Sequence, residues 1–152
     1  MATEPTVYLD VCCLHRPFDD QSQDRIRFES EAVKLILDLQ FAGKIRWVSS
    51  EVVHDEVLQN PDEDKRSAVL AQLRDADEYR LLDEQAINLA RTFIAQGIRP
   101  MDALHLALAE TSGCDIILTT DDGFLGKASR LKLPLRVRIE NPARWITEVV
   151  WR

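Results

Sequence analysis

The sequence predicts an α/β fold, a three-layer α/β/α sandwich around a central, mostly parallel sheet. Three observations lead there. Predicted strands alternate with predicted helices along the chain. The best strand candidates, residues 6–11 and 115–120, are continuous apolar runs rather than alternating ones, as in sheets buried on both faces. The length, 152 residues, suits one domain over 1–152 with a real core.

Taken in order, Thr6 to Val11 is apolar with β-branched and aromatic content and is expected as the first strand, with Asp10 inside it. His15 to Asp20 is expected as a loop. Val33, Ile36, Leu37 and Phe41 recur at helical spacing within a helix from about Gln23 to Ala42, stopped by Gly43. Ile45 to Ser49 follows as a second strand, and a helix opens near Ser50 and runs to about Gln59. Asn60-Pro61-Asp62-Glu63 offers a cap, a proline at the first helical position and an acid three after the cap. That predicts a helix to about Asp75.

Tyr79 to Leu82 is a short strand candidate. Asp83 caps a helix that stops at Gly97, and Pro100 opens another, closed by Gly113. Residues 115–120 form the clearest strand. A brief helix near Phe124 to Leu131 and a strand from Leu135 to Ile139 come next. Asn141-Pro142 starts the final helix, which ends in Val149-Val150-Trp151.

Composition narrows the function. The formal net charge of −7 argues against a broad basic surface that coats itself with nucleic acid. Cys12, Cys13 and Cys114 have neither a disulfide framework nor zinc spacing and read as reduced thiols of a cytoplasmic protein. The start of the chain lacks the basic region of a signal peptide, and no apolar run is long enough for a membrane span. Neither a glycine-rich phosphate loop nor a serine nucleophile elbow is present.

The acids carry the functional signal. Ligands of open α/β sheets gather outside the carboxyl ends of the strands. Asp10 lies in an apolar run, where a carboxylate is costly unless paired or bound to a cation. Glu56 shares the inward stripe of its helix with Val52 and Val53, whereas Glu51 and Asp55 fall on a face expected to be solvated. Asp102 occupies the first turn of an almost wholly apolar helix. Asp121 and Asp122 follow the strand 115–120, and alternation turns Asp122 away from the side taken by Asp121. Two carboxylates about 5 Å apart repel by about 3 kcal/mol at an effective dielectric near 20. Such a cluster holds protons or a cation, and oxygen ligands suit Mg²⁺ or Mn²⁺. A site of this kind clamps phosphate oxygens and activates water for in-line attack at phosphorus. His105, three residues after Asp102, could face the site, but a histidine in an apolar helix is more often a packed residue with one satisfied hydrogen bond.

These residues resemble the PIN-domain family, including the VapC-like toxins of type II toxin–antitoxin pairs. The matching pieces are Tyr8-Leu9-Asp10, Val48-Ser49-Ser50 followed by Glu56, the stretch Asp102-Ala103-Leu104-His105-Leu106-Ala107, and Thr119-Thr120-Asp121 followed by Phe124. Their order and spacing agree over about residues 6–140. The resemblance implies a metal-dependent RNA endonuclease whose catalytic and metal-holding acids map onto Asp10, Glu56, Asp102 and Asp121. It maps a supporting hydroxyl onto Thr119. The family's small polar residue two after the first acid is here Cys12. RNA as substrate, an antitoxin protein as partner and a homodimer are the corresponding expectations. Arg16 and Arg25, beside the first acid, and Lys127 and Arg130, in an acid-free basic stretch, are the candidate RNA contacts.

Two other readings compete. A haloacid-dehalogenase-like phosphatase also places an Asp after its first strand, but needs a second acid where Cys12 stands. A receiver-like signalling or binding module needs a lysine near the end of its last strands, and Lys127 falls in a predicted helix.

Overall fold

The computed structural model describes residues 4–150. Five strands form one sheet: β1 (Thr6–Leu9), β2 (Arg46–Ser50), β3 (Glu78–Arg80), β4 (Ile116–Leu118) and β5 (Arg138–Glu140). Their order is β3-β2-β1-β4-β5, and every pairing is parallel. The helices are α1 (Val11–His15), α2 (Asp24–Phe41), α3 (Glu51–Leu58), α4 (Glu63–Leu73), α5 (Glu84–Ala95), α6 (Pro100–Thr111), α7 (Asp122–Ser129) and α8 (Pro142–Val150).

The chain steps from β1 to β2 to β3 in one direction, then returns past β1 to β4 and β5. Right-handed crossovers therefore put α1–α4 on one face and α5–α7 on the other. α5 packs on α6, and α8 returns to pack on α2. The core runs through the sheet: Val7, Tyr8, Leu9, Trp47, Val48, Ile116, Ile117 and Leu118 are all buried. Phe93 of α5, Leu106 of α6 and Phe124 of α7 close over it. The strand order reverses between β1 and β4, which makes that crevice the topological switch point. In register Leu9 faces Leu118, and the Asp10 N–H donates to Leu118 O at 3.0 Å. Asp10 and Thr119 thus leave the sheet side by side.

Several boundaries differ from the sequence reading. β1 stops at Leu9, because the Asp10 side chain accepts from the Val11 N–H at 2.8 Å and caps α1. The expected loop after it is helical: α1 runs to His15 and a 3₁₀ turn, Arg16–Phe18, follows. Asp62 rather than Asn60 caps α4, with its carboxylate on the Lys65 N–H, so Pro61 precedes the cap. Leu81 and Leu82 lie beyond β3, and the Leu82 N–H donates to the Glu51 carboxylate. Glu51 is therefore half-buried and engaged rather than solvated. β5 begins three residues later than expected, at Arg138. Trp151, the expected end of the last helix, lies outside the described residues.

Candidate metal centre

Asp10 is 5% exposed and stands at the carboxyl end of β1. Its Oδ1 accepts from the Val11 N–H, and its Oδ2 accepts from Thr119 Oγ1 at 2.8 Å. Thr119 Oγ1 in turn accepts from the Asp121 N–H at 3.1 Å, so one hydroxyl ties the carboxylate of Asp10 to the backbone of Asp121. Cys12 occupies the small-polar position: its Sγ lies 3.5 Å from Asp10 Oδ2 and 3.3 Å from Thr119 Oγ1. These donors give the buried carboxylate the hydrogen bonds it would otherwise take from water.

Glu56 reaches the same place from α3. The Ser50 hydroxyl accepts from the Val53 N–H and starts that helix at the end of β2. Val52, Val53 and Val57 bury the inner stripe of α3, and Glu56 leans from its edge toward the end of β1. His105 Nε2 lies 2.7 Å from Glu56 Oε1 and 3.7 Å from Asp10 Oδ1. The ring is fully buried, and its Nδ1 shares a 2.7 Å hydrogen bond with Tyr8 Oη, which also bonds Ser50 Oγ at 2.8 Å. Burial opposes charging the imidazole. The hydrogen bond to Glu56 and the charges of Asp10, Glu56 and Asp102 outweigh it and raise the pKa above the usual 6.5. Burial likewise pushes the Tyr8 hydroxyl well above its ordinary range.

His105 is the site residue that sequence reasoning set aside in favour of a packed role. It is buried, as a packed histidine would be, but its polar edge faces the acids. The available signal was its spacing from Asp102, one turn away on the same helical face.

Pro100 sets the first turn of α6 and Asp102 lies within it. Burial pushes the Asp102 carboxyl up, and the charges of Asp10 and Asp121 add to that against the pull of Arg99. Asp121 caps α7, its Oδ1 accepting from the Gly123 and Phe124 N–H groups. Arg99 bridges the two acids, with Nη2 2.7 Å from Asp121 Oδ2 and Nε 3.4 Å from Asp102 Oδ2. Asp122 turns outward onto Arg25 at 2.7 Å. The separation of the two neighbours holds, although its cause is the helix cap rather than strand alternation, since β4 has already ended at Leu118.

The four acids thus divide into two groups, Asp10 and Glu56 around His105, and Asp102 and Asp121 around Arg99. Ligand atoms of Asp10, Glu56 and His105 lie within 4.8 Å of one another. The four carboxylates outnumber the one fixed cation set among them, Arg99, so the donor set fits a divalent cation.

Arg16 and Arg25, two of the residues expected to meet RNA, are already engaged. Arg16 pairs with Asp19 and with the buried Glu29. Arg25 pairs with Glu29 and Asp122 and donates to Thr120 O. Lys127 and Arg130 lie toward the far end of α7, about 9 Å or more from its cap at 1.5 Å per residue.

The PIN domain family model matches residues 7–129. The chain belongs to the PIN domain family. No curated protein sequence matches this PIN domain. Its fold is shared with solved structures at low identity. FitAcB from Neisseria gonorrhoeae is 16% identical with a TM-score of 0.56, over 90% of this chain and 97% of that one. VapBC2 from Rickettsia felis, bound to a DNA fragment from its promoter, is 14% identical with a TM-score of 0.57, over 90% and 98%. DNA-bound VapBC from Salmonella typhimurium is 17% identical with a TM-score of 0.57, over 91% and 98%. The α/β sandwich read from the sequence is therefore the PIN fold, with an all-parallel sheet. Among the described residues, no helix of this PIN domain is long and apolar enough to cross a membrane.

Proposed function

We propose that this PIN domain is a metal-dependent endoribonuclease, the toxin of a toxin–antitoxin pair, acting in the cytoplasm as a homodimer with an antitoxin protein as partner. The observation that carries the reading is the meeting of Asp10 and Glu56 at the switch point of the sheet, with Asp102 near enough to Asp10 and Asp121 for their charges to push its carboxyl up. The toxin assignment is supported by the VapBC and FitAcB structures that share the fold.

When bound, a divalent cation, Mg²⁺ or Mn²⁺, supplies the positive charge that draws in a phosphodiester and acidifies a water for in-line attack. Asp10, Glu56, Asp102 and Asp121 would hold it. Thr119 fixes the Asp10 carboxylate by its hydroxyl and the Asp121 backbone by the same oxygen. Arg99 holds Asp102 and Asp121 together by their outer oxygens. In the metal-free protein His105 Nε2 hydrogen-bonds Glu56 Oε1 at 2.7 Å and holds that carboxylate beside Asp10.

The rival readings lose support from the same geometry. The position where a dehalogenase-like phosphatase needs a general acid holds the Cys12 thiol, which bonds Asp10 and Thr119. Lys127 lies on α7 beyond its midpoint, away from the end of β4 that a receiver lysine must reach.

RNA and DNA oligonucleotides incubated with Mg²⁺, Mn²⁺ or chelator test the proposal. Cleavage of RNA with either metal and none with chelator is expected. Asp10→Asn and Asp102→Asn should each abolish cleavage, since the amide keeps the shape and removes the charge. Full activity in a folded variant would refute the site.

A further inference from the structure

We infer that His105 Nε2 is a nitrogen ligand of the cation, so that Asp10, Glu56 and His105 form a mixed oxygen–nitrogen set that favours Mn²⁺ over Mg²⁺. The inference rests on the metal-dependent reading above and adds the ligand that an all-carboxylate site lacks.

Three observations support it. The first is position. Cis ligands about 2.1 Å from a common octahedral ion lie about 3 Å apart. His105 Nε2 stands 2.7 Å from Glu56 Oε1 and 3.7 Å from Asp10 Oδ1, distances that bracket this spacing. The nitrogen therefore occupies the rim of the space that Asp10 and Glu56 enclose.

The second is the hydrogen bond behind the ring. Ligating imidazoles usually donate their other nitrogen to an oxygen, which sets the tautomer and aims the free lone pair at the metal. His105 Nδ1 meets Tyr8 Oη at 2.7 Å, and Tyr8 Oη meets Ser50 Oγ at 2.8 Å. With Nδ1 donating to Tyr8 and Tyr8 donating to Ser50, a cation that displaces the Nε2 proton from its 2.7 Å hydrogen bond to Glu56 Oε1 meets a lone pair facing the acids. The third is rigidity. His105 and Tyr8 are both fully buried, and they stand on α6 and the central strand β1. The ring cannot swing away without disturbing the core.

An imidazole ligand biases the site. Mg²⁺ takes oxygen and keeps its waters, whereas transition ions accept nitrogen readily. Wild-type protein should bind Mn²⁺ at least about tenfold more tightly than Mg²⁺. Removing the Tyr8 hydroxyl should weaken Mn²⁺ binding by about 10- to 100-fold, the usual effect of losing such a supporting partner.

The deciding experiment is pulsed EPR of Mn²⁺ bound to protein carrying ¹⁵N-labelled histidine. The chain has three histidines, His15, His54 and His105. A directly bound ¹⁵N coupling is expected in wild type and in His15→Gln/His54→Gln, and its loss is expected in His105→Gln. Isothermal titration of Tyr8→Phe with Mn²⁺ gives a second measurement if His105→Gln does not fold. Bound Mn²⁺ with no histidine coupling overturns the ligand assignment. If RNA is still cut in that case, the nuclease reading stands and only the role of His105 falls. No Mn²⁺ binding at all by the wild type overturns both.

Discussion

Asp121 and Asp122 are chemically identical neighbours placed in opposite surroundings. Asp121 caps α7 with one oxygen and meets Arg99 with the other, at the edge of the acid cluster. Asp122 pairs outward with Arg25, which pulls its carboxyl below the usual range. Asp121→Asn should therefore weaken Mn²⁺ binding, while Asp122→Asn should leave it close to wild type. A Mn²⁺ titration of both variants checks this, and the reverse ranking would show that the outward residue is the ligand. All four acids could be picked out from sequence, because a carboxylate in an apolar strand, on an inward stripe or at a helix start stands out against its neighbours. Whether they bind metal is what these variants test. His105 was not legible. A histidine in an apolar helix looks the same whether it is packed or poised, and its partner Glu56 is 49 residues away. Only the fold brings α3 and α6 together.

At the scale of elements, the N-terminal half of α2 is held by a buried acid. Glu29 is 2% exposed and accepts from Arg16 Nε at 2.8 Å, Arg25 Nε at 3.1 Å and the Asn141 side chain. It thereby ties α2 to the 3₁₀ turn and to the start of α8. Through Arg25 the brace reaches Thr120 O and Asp122, next to the residues that hold Asp10. Removing one partner of a buried ion pair costs about 3–5 kcal/mol, and the half-exposed Arg25 places this case at the lower end. Glu29→Ala should lower the melting temperature by roughly 10 °C, at about 2–4 °C per kcal/mol for a chain of this size. Differential scanning calorimetry checks this, and a loss below about 2 °C would mean the brace is idle. The brace was invisible in the sequence, where Glu29 is one more acid on a charged helix. Element order was legible apart from α1, which replaces the end of the expected strand and the start of the expected loop, since apolar runs and glycine stops are local signals. Boundaries slipped where a side chain captures a backbone N–H, as Asp10 does at α1, Asp62 at α4 and Glu51 at Leu82.

For the whole molecule, the acid cluster sets how stability depends on pH. The Asp102 carboxyl and the His105 imidazole both have raised pKa values in the folded state. A raised value means that the folded form holds its proton more tightly than the unfolded chain. The stability so gained is complete below the unfolded pKa, near 3.8 for Asp102 and 6.5 for His105. It is lost as pH rises through the folded value. Metal-free protein should therefore lose stability from about pH 4 upward, with a further loss above about pH 6.5. Metal binding has the opposite dependence. Its ligands must be deprotonated, so the cation binds more tightly as pH rises. A cation that binds only the folded form adds about 2.7 kcal/mol at a hundredfold excess over its dissociation constant. That amounts to roughly 5–10 °C in melting temperature. Melting curves with chelator and with millimolar Mn²⁺ should thus diverge as pH rises from 5 to 8. Asp102→Asn should flatten the chelator curve and shrink the Mn²⁺ increment, because the amide neither repels Asp10 and Asp121 nor holds the ion. Parallel curves at all pH values, or an Asp102→Asn increment equal to that of wild type, would separate the acids from metal binding and leave their clustering without a function.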